Sequence, residues 1–357
     1  MKILYGVVGE GMGHAIRSRV VIEELLAREH EVEVIASQRA VDFLSARFAN
    51  VHRIHGLYIV YEENRVRMGR TVWSNVQAGA KALPKQIAAY FELVEDFRPD
   101  VVVSDFESWT YLYGKTHRLP VLSVDNMQII DRCRHPAEIL AGERTNFELT
   151  RAFITAKLPY CQHYLIGTFF YPPLRREPTT LVPPILRPEI LKQKPTRGDH
   201  LLVYQTAEGH DALIDALART KLECRIYGMR RGIQEEQVEG DLRYRPFSEQ
   251  QFVADLASAR GVLAGGGFTL MSECVYLRKP MLSVPVGGQF EQVINGRYLE
   301  REGFGRTASE VSEDAVRDFI DAVPRCEESL ARYEQDGNRL MLEALDHQLD
   351  CAAAGIS

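Results

Sequence analysis

Short apolar runs alternate with stretches whose apolar residues recur at helical spacing, and the alternation runs through the chain twice. Lys2–Val8 is an apolar run stopped by glycines. Ala15–Arg28 sets Val20, Val21, Leu25 and Leu26 on one face with charges opposite, the period of an amphipathic helix. Glu31–Ala36 alternates like a strand, Val41–Phe48 reads as a helix and Val51–His55 as a short strand. Thr71–Phe97 is helical in pattern but interrupted at Pro84, which removes a backbone donor and bends or breaks a helix. The β-branched run Asp100–Ser104 and the run Leu119–Val124 read as buried parallel strands. Strands alternating with helices predict a parallel sheet covered on both faces.

Phe153–Leu191 differs. It holds Pro159, Pro172, Pro173, Pro178, Pro183, Pro184 and Pro188, and reads as a stiff connection after a strand at His163–Gly167. The alternation then restarts: strands at His200–Tyr204, Leu222–Gly228 and Leu242–Arg245, helices at Asp211–Ala218 and Glu249–Ser258. From Ser312 to about Leu349 the pattern is helical. These shifts predict two α/β domains over residues 1–170 and 196–325, a Pro-rich linker over 171–195, and C-terminal helices over 326–357.

Composition narrows the partners. The 357 residues carry a formal net charge of −6, which argues against nucleic-acid binding. No apolar run reaches the ~18 residues of a membrane span, and the first residues read as a strand rather than a signal peptide. Six scattered cysteines without a C-x-x-C pair suggest reduced thiols and a cytoplasmic setting. Spacings of His and Cys give no metal or haem motif, so neither metal nor cofactor is expected.

Two glycine-rich regions carry the candidate chemistry. In the first, Gly6, Gly9, Gly11 and Gly13 follow the opening strand and lead to His14 and Arg17. A dinucleotide fingerprint fails on spacing, because His14 or Ile16 stands where its last glycine must be. Gly11 and Gly13 instead clear space for a ligand near the backbone, with His14 placed to act as a general base. Arg17 is open between a phosphate and solvent. Asp105 ends its strand where it either orients His14 or caps the helix beginning near Ser108.

In the second region, Val262–Ala264 is a strand running into Gly265, Gly266 and Gly267, and a helix opens at Phe268–Thr269 with Glu273 one turn in. A further strand, Met281–Pro285, ends at Gly287–Gly288 before Gln289, Glu291 and Gln292. Two helix N-termini with no bulky side chain suit a phosphorylated ligand, and Glu273 suits a ribose diol.

The run Gly265-Gly266-Gly267-Phe268-Thr269-x-x-x-Glu273, with Lys279-Pro280, Pro285 and Glu291-Gln292-x-x-Asn295, resembles the nucleotide-sugar motif of family 28 glycosyltransferases. Gly9-x-Gly11-x-Gly13-His14 is similar to the N-terminal loop of the same group, and the whole chain resembles a little-characterised microbial subgroup. The resemblance implies the GT-B fold, two Rossmann-like domains facing across a cleft with C-terminal helices crossing back to the first. It implies a uridine diphosphate sugar as donor and inversion at the anomeric carbon. By position, Glu273 would hold the ribose, and Gly266, Gly267, Thr269 and the turn at Gly288–Gln289 the diphosphate. Glu291 and Gln292 would contact the sugar and Phe247 the base. Thr206 would approach a phosphate, and His14 would be the acceptor-side base with Asp105 behind it. Phe169, Phe170 and Tyr171 with Leu174, Arg175 and Arg176 offer an apolar and basic cluster for peripheral membrane contact, or else an interdomain contact. Two other functions stay open. One is a sugar-nucleotide 2-epimerase using Asp105, Glu107 and Asp125; the other is a nucleotide-sugar sensor without turnover.

Overall fold

A computed structural model describes residues 1–54, 61–62, 65–66, 94–205, 211–230 and 232–355. The chain forms two compact units, Met1–Ile185 with Asp336–Ser357, and Leu186–Gln335.

The first unit is built on a parallel sheet of β1 (Lys2–Val7), β2 (Glu31–Ser37), β3 (Val51–Ile54), β6 (Val101–Asp105), β7 (Val121–Asp125), β8 (His163–Gly167) and β9 (Thr179–Val182). The short β4 (Tyr61–Glu62) and β5 (Arg65–Val66) pair apart from it. The strand order is β3-β2-β1-β6-β7-β8-β9, so the order reverses between β1 and β6. At such a switch point the loops leaving the two strands diverge and open a crevice for ligands. Ile3, Tyr5 and Val7 of β1 are fully buried with Val101 and Val103 of β6, as strands covered on both faces require.

The second unit repeats the scheme with β10 (Leu201–Tyr204), β11 (Cys224–Tyr227), β12 (Gln237–Glu239), β13 (Leu242–Arg245), β14 (Gly261–Ala264), β15 (Met281–Ser283) and β16 (Gly305–Thr307). Their order is β12-β13-β11-β10-β14-β15-β16, parallel except for the β12–β13 pair. Here the order reverses between β10 and β14, which places the triple glycine after β14 at the second switch point.

The structure differs from the expected segmentation in three places. The Pro-rich stretch is not simply a linker. Thr179–Val182 is the edge strand of the first sheet, and the chain leaves the first unit only after Ile185. Pro178, Pro183 and Pro184 flank the strand rather than lie in it, so none of its ladder donors is lost. The helical tail is two helices, Glu313–Leu330 and Arg339–Ala353, separated where Gly337 and Asn338 both take positive φ. The first packs Val316, Phe319 and Val323 into the second unit, and the second returns Met341, Leu345 and Leu349 to the core of the first. The aromatic and basic cluster is divided. Phe169 and Phe170 are buried edge to face, and Arg175 and Arg176 bind Asp131, while Tyr171 is 56% exposed. Among the described residues, no helix is long and apolar enough to cross a membrane. The interruption expected at Pro84 lies outside the described residues.

Candidate active site

In the first unit, three neighbouring strand ends supply one cluster. The helix Met12–Ala27 starts just beyond β1, and Val7 pairs in register with Asp105, the last residue of β6. That register sets His14 Nδ1 2.7 Å from Asp105 Oδ1. Asp105 is fully buried and its other oxygen accepts from Ser18 Oγ at 2.8 Å and from Arg17 Nε at 2.8 Å. Arg17 also reaches Asp105 Oδ1 and His14 Nδ1, and donates to Asn126 Oδ1 just beyond β7. Burial alone would raise the Asp105 carboxyl, but the Arg17 guanidinium and then His14 outweigh it, and the group is held well below the usual carboxylate range. His14 keeps a partly exposed ring on this buried base.

Arg17 is thus engaged inside the protein, which leaves its guanidinium little capacity for a phosphate. The cap expected of Asp105 is made instead by Glu107, whose carboxylate accepts from Trp109 N at 2.8 Å and Thr110 N at 2.7 Å. Asp125 accepts from Ser123 Oγ at 2.7 Å and Gln128 N at 2.9 Å. Burial raises both of these carboxyls. The three carboxylates an epimerase would draw on are therefore all buried and internally bonded.

Gly11 in the first glycine loop is exposed, has a φ of 86° and faces open space where a Cβ would stand. It begins a helix with no side-chain cap, so the first backbone N–H groups are available to a ligand. Gly9 serves the fold: a Cβ there would lie 2.2 Å from Ser37 O.

The second unit shows the same division of labour. A Cβ on Gly266 would lie 2.4 Å from Gln292 O, so that glycine lets the helix Phe290–Arg301 approach. Gly267 is exposed, faces open space and begins the helix Phe268–Tyr276 without a side-chain cap. Thr269 is half-buried in the first turn of that helix. Gly288, exposed and with φ 82°, and the half-buried Gln289 form the corresponding start of the next helix.

Gln292 and Glu273 are engaged within the unit. Gln292 Oε1 accepts from Gly266 N and Val286 N, both at 3.0 Å, so its carbonyl braces the two glycine turns. Asn295 Nδ2 donates to Gly266 O at 3.1 Å and to Glu291 Oε1 at 3.4 Å. Glu273 is buried with both oxygens on Arg187, from Nε at 2.7 Å and from Nη2 at 3.0 Å, while Nη1 holds Glu249 at 2.8 Å. Phe247 is 71% exposed at the end of β13, its ring 6.4 Å from that of Phe252. Thr206 lies outside the described residues.

Sequence reasoning missed Arg187, Ser18 and the part played by Asn126. The one signal for Arg187 is a lone cation in an apolar and Pro-rich run, LVPPILRPEIL. Ser18 lies one residue beyond Arg17, on the helix face turned to the sheet.

Comparison with known proteins follows the same outline. The sequence profile described as glycosyl transferase family 1 matches residues 1–324. An uncharacterized glycosyltransferase of Methanosarcina mazei is 26% identical over 98% of this chain and 98% of its own. A Bacillus thuringiensis protein, UDP-N-acetylglucosamine--N-acetylmuramyl-(pentapeptide) pyrophosphoryl-undecaprenol N-acetylglucosamine transferase 1, is 24% identical over 94% of this chain and 93% of its own. Among solved structures, the spinosyn rhamnosyltransferase SpnG complexed with thymidine diphosphate superposes with a TM-score of 0.63 at 16% identity, over 98% of this chain and 100% of its own.

Proposed function

The chain belongs to glycosyl transferase family 1, and we propose that it transfers a sugar from a pyrimidine nucleoside diphosphate sugar to an acceptor hydroxyl with inversion. It is a glycosyltransferase of the GT-B type, built from two parallel α/β units. The observation that carries the finer reading is the 2.7 Å contact between His14 and Asp105.

The base follows from that contact. With a proton on Nδ1, His14 donates to Asp105 and keeps the lone pair of Nε2 for a substrate proton. The acceptor oxygen attacks the anomeric carbon as its proton passes to Nε2, and the bond from that carbon to the diphosphate oxygen breaks. A single displacement of this kind inverts the configuration. Asp105, ionised and buried, stabilises the imidazolium that forms.

The donor belongs to the second unit. The uncapped start at Gly267 and the exposed turn at Gly288–Gln289 direct backbone N–H groups at the diphosphate, whose charge grows as the bond breaks. Those dipoles are fixed before reaction and need no metal to act. Phe247 offers a face to the base, Glu273 with Arg187 the polar ground for the ribose, and Glu291 a contact for sugar hydroxyls. A uridine donor is favoured by the name of the Bacillus relative, and thymidine is the competing base by that of the SpnG complex.

Thermal unfolding with uridine, thymidine and adenosine diphosphates and with NAD tests the donor class. Ligand binding to the folded state raises Tm in proportion to RT ln(1 + [L]/Kd). Pyrimidine diphosphates are expected to raise Tm and NAD to leave it unchanged; a rise with NAD alone overturns the reading.

A further inference from the structure

Lys157 lies beside the His14 cluster and takes no part in the chemistry described above. It ends the helix Arg144–Lys157 and is buried, and its Nζ has no hydrogen-bond partner among the described residues. An ammonium without hydrogen bonds in a protein interior costs several kcal/mol and calls for a reason.

Its surroundings supply one. Nζ stands 4.0 Å from the centre of the Phe106 ring and 5.6 Å from that of Phe153, and the two rings pack edge to face at 6.3 Å. A cation over an aromatic face is attracted by the ring quadrupole, most strongly where water is excluded. Phe106 directly follows Asp105 and has a φ of 55°, a backbone conformation that a bulky residue adopts only when its surroundings impose it. Burial lowers the Lys157 pKa from its ordinary value, and the carboxylates of Glu10, Glu107, Asp125 and Asp105, at and just beyond the ends of β1, β6 and β7, act against it.

We propose that Lys157 is a positioning residue for the His14–Asp105 pair. Its ammonium clamps the Phe106 ring, holds the left-handed backbone that aims Asp105 at His14, and sets a positive charge behind that carboxylate. The inference deepens the reading of His14 as the base and rests on it. Arg17 binds Asp105 through hydrogen bonds; Lys157 acts on it through charge and through the fixed backbone alone. Without the charge, the cluster gains net negative potential and His14 holds its proton more tightly.

Nitrogen-15 NMR of the histidines in the full-length protein reads this directly and needs no acceptor. His14 is assigned by comparison with His14→Gln. In Lys157→Met the midpoint of His14 titration is expected to move up by about half a pH unit or more, while Lys157→Arg, which keeps the charge, stays near wild type. Phe106→Leu removes the ring and keeps the charge. It is expected to broaden or shift the His14 signal at fixed pH with the midpoint little changed. An unmoved midpoint in a folded Lys157→Met protein overturns the inference. If that variant does not fold, a His14 signal in Phe106→Leu identical to wild type overturns it instead. Loss of turnover in His14→Ala tests the base itself, so the two ideas fail separately.

Discussion

Arg187 closes a fork on Glu273, with Nε 2.7 Å from Oε1 and Nη2 3.0 Å from Oε2, both side chains buried. The pair ties the first residues of the second unit to the helix that follows the triple glycine. Removing one partner of a buried ion pair strands the other charge, so Arg187→Ala is expected to cost about 3–5 kcal/mol of stability. Arg187→Lys keeps a charge but loses the planar fork and is expected to fall between. Urea unfolding checks the stability. Calorimetric titration with uridine diphosphate checks the expected loss of affinity, because Glu273 no longer has a fixed orientation.

Neighbouring glycines should behave differently. Gly266→Ala drives a methyl into Gln292 O, and overpacking of this kind costs about 1–3 kcal/mol. Gly267→Ala meets open space and is expected to change stability by less than about 0.5 kcal/mol. On the proposed reading its methyl meets the diphosphate, so nucleotide affinity should fall about tenfold, or about 1.4 kcal/mol. Equal effects of the two substitutions on binding and on unfolding would contradict this division.

Much of this division is hidden from the sequence. The alternation of apolar runs and amphipathic stretches makes two parallel α/β units legible, because buried strands and one-sided helices each leave a period. The positions of Gly266, Gly267 and Glu273 are legible too. Which glycine serves packing and which faces solvent is not, since that depends on a helix arriving 26 residues later, where Gln292 meets Gly266 N. Arg187 could not be found by pattern, because its partner lies 86 residues away. The edge strand Thr179–Val182 was obscured by prolines that normally exclude strands.

Acid stability should depend on Asp105. Its folded carboxyl is held below the unfolded value, so the cluster contributes stability that is complete above about pH 4 and is lost as pH falls towards the folded value. Asp105→Asn is expected to flatten that acid loss. At neutral pH it should cost about 3–5 kcal/mol, because Arg17 is left buried without its carboxylate. Urea midpoints between pH 2 and pH 7 check both, and an unchanged acid slope would show that Asp105 is not the group responsible.

Phe247, 71% exposed, is the most exposed large hydrophobic side chain among the described residues of the second unit, and on the proposed reading its ring stacks on the base. Phe247→Ala is expected to leave Tm within a few degrees and to weaken uridine diphosphate binding by about 0.5–1.5 kcal/mol, the range of an aromatic stacking contact. Calorimetry on the variant checks this.

The base is tested most directly by release of nucleoside diphosphate from uridine and thymidine diphosphate sugars. Wild-type protein and His14→Ala are compared over a panel of sugar, glycolipid and phenolic acceptors. In His14→Ala kcat is expected to fall about 10²- to 10⁴-fold, the usual contribution of a general base, while the Kd for the nucleotide stays within about twofold. Turnover at the wild-type rate in His14→Ala would contradict it.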